Sequence, residues 1–282
     1  DGYEATRRIM ERAPTPVVIV SAVSDRAVQI SLEALRAGAL TALRKPPGPD
    51  HPDHESEWRR FVRTVRSMAE VRVVRRHRRE SVPGSMAAPA QEAGSFRAAV
   101  VAIAASTGGP AAIREILGQL PASFPVPILL VQHIGAAFID GLAHWLDQTV
   151  PLEVRLAREN EALKGGRVYL APAQGHLTVG PGQRVRLSGD PPIEGFRPSA
   201  TATYTSVAEA YAERALGVIL TGMGRDGVEG LRALRARGGR IMAQDRESAV
   251  IHSMPGHAVR EGLADEVLPL AEMPRYLLGC VG

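Results

Sequence analysis

The sequence predicts an α/β protein whose main part is a doubly wound, mostly parallel sheet with one β-hairpin, preceded by part of a smaller α/β unit. Three observations carry this expectation. From Phe96 onward, short apolar runs alternate with helical stretches, the βαβ pattern that places helices on both faces of a sheet. The runs AAVVAIAA, VPILLVQHI and LGVILTG are apolar up to the residues at their carboxyl ends, as strands buried on both faces must be. Each of the three leads into a turn that carries a chemically competent side chain, on the side of an open sheet where ligands bind.

The elements follow in order. GYEATRRIMER reads as a helix, PVVIVSA as a short buried strand, RAVQISLEALRAGA as a second helix and TALRK as a strand ending before Pro46. PPGPDHP breaks regular structure. From Trp58 to Arg79 arginines alternate with Phe61, Val62, Val65, Met68, Val71, Val73 and Val74, the pattern of a basic amphipathic helix. SVPGSMAAPAQEAGS lacks an apolar period and reads as a linker. This organisation divides the chain into residues 1–50, a helix and linker over 51–95, and a main domain over 96–282. Within the last, GPAAIREILGQL, FIDGLAHWLDQT and VEGLRALRA are helices, RVYLAP and RIMAQ are strands, and HLTVGPGQRVRLS turns as a hairpin at Pro181 and Gly182.

Composition excludes several functional classes. The chain has 282 residues, a net charge of +4 and one cysteine, Cys280, so neither an internal disulfide nor a cysteine-based zinc site is expected. A reducing, cytoplasmic setting is the default for such usage. The positive excess is local: RRFVRTVRSMAEVRVVRRHRR holds one acidic residue, Glu70, whereas both signs mix after Phe96. Stacking aromatics are nearly absent from that segment, which reads as a solvated helix rather than a nucleic-acid site. No apolar run approaches the roughly 20 residues of a membrane span, and no signal peptide opens the chain. The chain begins at Asp1 rather than methionine, so sequence ahead of it is expected.

The chemistry centres on three strand ends. Ser106 follows AAVVAIAA and precedes Thr107, Gly108, Gly109 and a helix, so its hydroxyl lies where free N–H groups favour negative charge. A plain serine–glycine turn or a phosphate cradle has the same local pattern, although the lysine of a P-loop is missing and no GxGxxG follows a strand. His133 ends the neighbouring run, where an imidazole can accept the serine proton or merely cap a strand. Asp226 lies in the loop TGMGRDG after a third strand, as the carboxylate of a triad or as the N-cap of VEGLRALRA. Serine, histidine and aspartate on the same side of one parallel sheet form a set that the fold can bring together.

The ordered motifs IAASTGGP, LLVQH, RVYLAPAQGHL, RPSAT, GVILTGMGRDG and AVIHSMPGHAV resemble the catalytic domain of the chemotaxis receptor methylesterase family from about Phe96 to Leu270. The resemblance implies a serine hydrolase with Ser106 as nucleophile, His133 as base and Asp226 as its partner. It also implies oxyanion support from the turn and loop residues Thr107, Gly108, Met223 and Gly224. The implied substrates are glutamate methyl esters in the cytoplasmic domains of methylated chemoreceptors. Receptor glutamines are a second substrate through deamidation, and no cofactor or metal is needed. Residues 1–50 are similar to the second half of a flavodoxin-like response-regulator receiver, with Asp1 and Gly2 as its DG pair, Ser21 as its hydroxyl residue and Lys45 as its lysine before proline. A complete receiver implies a chemotaxis-type histidine kinase as partner; the phospho-accepting aspartate would precede the DG pair and is not Asp1. A non-catalytic signalling module is the alternative, and the intact triad argues against it.

The chain departs from the family pattern at four places. Ala104 and Ser253 stand where glycine is common, Phe196 where histidine often precedes RPS, and Thr201 where RPS is often followed shortly by aspartate. None is a triad member, so substrate preference is more exposed to these changes than reaction type.

Overall fold

The computed structural model describes residues 2–21, 33–35, 37–69 and 96–281. Of the helix expected over RAVQISLEALRAGA, Glu33–Leu35 is described as helical. The end of the basic segment beyond Ala69 and the expected linker lie outside the described residues.

The first part comprises α1 (Gly2–Arg12), β1 (Val18–Ser21), β2 (Thr41–Arg44) and α2 (His54–Ala69). Strands β1 and β2 pair in parallel with Ser21 opposite Arg44, and Lys45 N–H donates to the Ser21 carbonyl over 2.9 Å. Ser21 and Lys45 therefore share the carboxyl end of this two-stranded sheet. Helix α2 buries Met68 and Thr64 while Trp58 and Val65 stay exposed, which fits the basic amphipathic pattern.

The main part holds seven parallel strands in the order β11-β10-β9-β3-β4-β6-β5. They are β3 (Val100–Ala105), β4 (Ile128–Gln132), β5 (Glu153–Leu156), β6 (Arg167–Leu170), β9 (Ala215–Ile219), β10 (Arg240–Gln244) and β11 (Glu266–Leu268). Helices α3 (Gly109–Leu117), α4 (Ile139–Thr149), α5 (Ala200–Tyr211), α6 (Val228–Ala236), α7 (Met254–Arg260) and α8 (Met273–Cys280) cover it. The antiparallel pair β7 (His176–Gly180) and β8 (Arg184–Ser188) is the expected hairpin, turning through Pro181–Gln183.

Strand β3 shows why its sequence is apolar throughout. Side chains alternate across a strand, and Val101, Ile103 and Ala105 enter one core with Ile113, Leu142, Trp145 and Leu277 from α3, α4 and α8. Val100, Ala102 and Ala104 enter the other core with Tyr204, Leu231 and Met254 from α5, α6 and α7. Neither face meets water, so neither can carry polar residues. Strand order then fixes the position of the site. The chain builds outward from β3 through β4 on one side and returns to pair β9 on the other, leaving a topological switch point between β3 and β9. A crevice forms beyond the carboxyl ends of the strands where the order reverses.

Close helix packing brings the β9 side into place. A Cβ on Gly230 of α6 would lie 2.6 Å from the Thr201 carbonyl oxygen and 2.7 Å from the Tyr204 Cβ of α5. Alanine gains about 1 kcal/mol over glycine in a helix, but the obstacle here is partly backbone, which cannot swing away. Gly230→Ala is accordingly expected to lower stability, because overpacking costs about 1–3 kcal/mol. Urea unfolding would read the change, and a stabilised variant would contradict this packing.

Candidate active site

Ser106 sits one residue beyond β3, at the first turn before α3. Its N–H donates to the Thr221 carbonyl over 3.0 Å, and its carbonyl accepts from Gly109 N–H and from the Gln132 side-chain amide over 2.9 and 2.7 Å. The same amide donates to the His133 carbonyl over 3.0 Å, so Gln132, buried at the end of β4, ties the backbones of Ser106 and His133 together. Two glycines make room for this arrangement. A Cβ on Gly109 would strike the Gln132 side chain, and one on Gly222 would strike Met254 and lie 2.7 Å from the Ser106 Cβ. Thr221 adds a further brace, its hydroxyl donating to the Thr107 carbonyl over 2.9 Å.

His133 continues the β3–β4 ladder, with its N–H on the Ala105 carbonyl at 2.9 Å. Its side chain is 4% exposed and its Nε2 lies 2.8 Å from Oδ2 of Asp226, which is 1% exposed. That separation is an ion-pair distance, although the ring N–H lies off the ideal hydrogen-bond direction. The other ring nitrogen, Nδ1, is buried and makes no hydrogen bond. The serine hydroxyl therefore does not donate to it in this structure. Phe196 stacks on the imidazole with ring centroids 4.2 Å apart and planes 12° from parallel. A cavity of about 210 Å³, lined in part by Gln132, His133, Gly135, Phe196 and Arg197, opens beside the ring.

Asp226 is not the N-cap of α6; that position belongs to Gly227, at φ 101°. Its carboxylate instead crosses to the start of α5, where it accepts from Ser199 Oγ at 2.6 Å, Ala200 N–H at 2.7 Å and Thr201 N–H at 3.1 Å. Helix N-termini favour anions because their first N–H groups lack intrahelical partners. Burial alone would push the Asp226 carboxyl up, but the His133 imidazole, the Ser199 hydroxyl and the Ala200 N–H together hold it below its ordinary value. Thr201 also accepts from Gly227 N–H through its own hydroxyl at 2.9 Å, so this departure from the family pattern carries a bond in the same network.

The structure thus joins His133 and Asp226 directly and sets the Ser106 turn on the adjoining strand. The expected oxyanion helpers divide. The N–H of Gly108 donates to the Leu40 carbonyl at 3.2 Å, so in this structure it faces the amino-terminal part. Among the described residues the Thr107 N–H has no backbone partner. In the loop after β9, Ser253 Oγ bonds Gly224 at both its N–H and its carbonyl, over 3.3 and 3.1 Å. Met223 precedes it in the same loop. Sequence reasoning passed over Ser199 and Thr221; a serine directly before a helical stretch was the available signal for the first.

Comparison with known proteins gives the family. Residues 101–277 match the CheB methylesterase family. The chain belongs to that family. A protein-glutamate methylesterase/protein-glutamine glutaminase of Myxococcus xanthus is 52% identical over 279 residues, 98% of this chain and 79% of that protein. The protein-glutamate methylesterase FrzG of Myxococcus xanthus is 40% identical, covering 99% of this chain and 81% of its own length. The solved CheB methylesterase catalytic domain of Thermotoga maritima superposes with a TM-score of 0.64 at 38% identity, covering 65% of this chain and 99% of that domain. Among the described residues no group of three or more His, Cys, Asp or Glu is placed to hold a metal, and no helix is long and apolar enough to cross a membrane.

The lowered pKa of Asp226 has a consequence for stability. A carboxyl more acidic in the folded than in the unfolded state stabilises the fold above its unfolded value, close to 3.8, and loses that contribution as pH falls through the lower folded value. The stability difference between wild type and Asp226→Asn is expected to be full at neutral pH and to shrink in this acid range. Denaturant titrations across it would read the effect, and a constant difference would remove the argument.

Proposed function

We propose that Ser106, His133 and Asp226 form the catalytic triad of a serine hydrolase that cleaves glutamate methyl esters on chemotaxis receptors. The activity itself is the one carried by the names of the chain's relatives, protein-glutamate methylesterase. The observation that supports the residue assignment best is the buried His133–Asp226 pair, 2.8 Å apart, on the strand next to the Ser106 turn.

The steps follow from the atoms available. An ionised Asp226 keeps the imidazole proton on Nε2, so the unpartnered Nδ1 is the free base that accepts the Ser106 proton as the hydroxyl attacks the ester carbonyl. The tetrahedral intermediate expels methanol, protonated by His133, and leaves an acyl-serine. Water, deprotonated by the same imidazole, then hydrolyses the acyl-serine to glutamate and free Ser106. The Thr107 N–H is the first oxyanion donor, such a donor being worth about 3 kcal/mol; the Met223–Gly224 loop can add a second only when the Gly224 N–H leaves Ser253 Oγ, which it bonds in this structure. The same attack on a receptor glutamine expels ammonia instead of methanol, which is the deamidation expected beside ester hydrolysis. The scheme calls on no metal or organic cofactor.

Residues 1–50 are proposed as the second half of a receiver, residues 51–95 as connecting helix and linker, and 96–282 as the catalytic domain. Ser21 and Lys45 at one strand end suit the receiver's switch positions, and the chemotaxis-type histidine kinase is the partner that a complete receiver would serve. The Leu40 contact to Gly108 supports a regulatory role, because it reaches the turn of the proposed nucleophile. The cytoplasm is the compartment that receptor cytoplasmic domains and kinase require.

Methanol release from methylated receptor tests the assignment. Ser106→Ala is expected to abolish turnover while the protein stays folded, and comparable turnover by this variant would sink it. Asp226→Asn should lower kcat by orders of magnitude with substrate binding retained, by analogy with the roughly 10⁴-fold loss known for a triad aspartate. A folded Asp226→Asn protein with near-normal kcat and an unchanged pH profile would remove Asp226 from the mechanism.

A further inference from the structure

The mechanism above leaves one buried histidine without a task. His176 opens β7, is 1% exposed, and uses both ring nitrogens. Its Nδ1 accepts the backbone N–H of Ser199 at 3.1 Å, and its Nε2 lies 3.2 Å from the Pro191 carbonyl oxygen. An N–H facing one nitrogen and a carbonyl facing the other permit a single state of the ring: neutral, with the proton on Nε2.

Ser199 is the residue through which this matters. It is fully buried, its hydroxyl donates to Asp226 Oδ1 at 2.6 Å, and it is the N-cap of α5, accepting from Thr201 N–H at 3.1 Å. The two residues after it present their N–H groups to the same carboxylate. Strand β7 grips α5 at two further points: Thr203 Oγ1 donates to the Leu177 carbonyl at 2.6 Å, and Val179 N–H donates to Ser206 Oγ at 3.0 Å. A chain of contacts thus runs from the hairpin through His176 and Ser199 to Asp226 and on to His133.

We infer that His176 is a positioning residue for the reaction: its neutral imidazole anchors the Ser199 backbone and so sets where the amino end of α5 holds Asp226 against His133. The inference rests on the triad reading above and adds to it a second histidine, outside the reacting atoms, on which the orientation of the first depends. Removing the Nδ1 acceptor leaves a buried N–H unpaired at the hinge between hairpin and helix. The displacement passes to Asp226 through the Ser199 hydroxyl and the first N–H groups of α5, so the loss falls chiefly on kcat.

Three variants and one spectrum test this. His176→Leu removes the acceptor, whereas His176→Asn returns an oxygen close to the place of Nδ1. With methylated receptor as substrate, His176→Leu is expected to lower kcat at least about tenfold with KM little changed, since misplacement of catalytic groups by about 1 Å can cost about a hundredfold. His176→Asn is expected to recover most of that loss. A folded His176→Leu protein with kcat close to wild type, or Asn and Leu variants impaired alike, would overturn the inference. Ser106→Ala in the same assay separates it from its foundation: an active Ser106→Ala protein would defeat the triad reading instead. Long-range ¹H–¹⁵N spectra of the wild-type protein decide the point even where a variant fails to fold. They are expected to show His176 neutral with its proton on Nε2, and a ring protonated on Nδ1 would overturn the proposal.

Discussion

The arrangement depends on holding one carboxylate away from water. Asp226 is 1% exposed, and an ionised group in that position is tolerable only when hydrogen bonds replace its hydration. Three of them come from Ser199, Ala200 and Thr201 at the beginning of α5, and the imidazole supplies the fourth contact. This is why α5 and α6 pack so tightly that Gly230 admits no side chain. A looser crossing would carry the donors away from the acceptor. It is also why the loop after β9 can present a charged residue at the heart of the molecule without opening the core beside it.

The contrast between Asp226 and the surface ion pairs is instructive. Arg7 and Glu4 on α1 sit 2.9 Å apart with large parts of both side chains in solvent, where such pairs contribute about 0–1 kcal/mol. The His133–Asp226 pair is almost wholly excluded from water, so breaking it by removing one partner leaves an uncompensated buried group. Geometry, not the number of charges, makes the second pair matter.

Much of this could be read along the chain, and the reason is local. Ser106, His133 and Asp226 each follow a continuously apolar run, and β3, β4 and β9 are interior strands whose two buried faces leave that mark. The strands passed over were those at the two margins of the sheet. Glu153–Leu156 alternates apolar with charged residues and Glu266–Leu268 has only three residues, because an edge strand is short and partly in water. Contacts between distant segments were not legible either. That Asp226 would serve α5 rather than its own helix depends on how two helices cross. The engagement of Gly108 by Leu40 depends on where the amino-terminal part lies.

The Phe196 ring has a consequence for the imidazole it covers. It lies flat on one face of His133 with ring centroids 4.2 Å apart, where the family often places a residue able to hydrogen-bond. A hydrocarbon surface there offers the imidazole neither donor nor acceptor and shuts water out from that face. Polar partners can therefore reach His133 only at the two nitrogens on the rim of the ring, and one of these already faces Asp226.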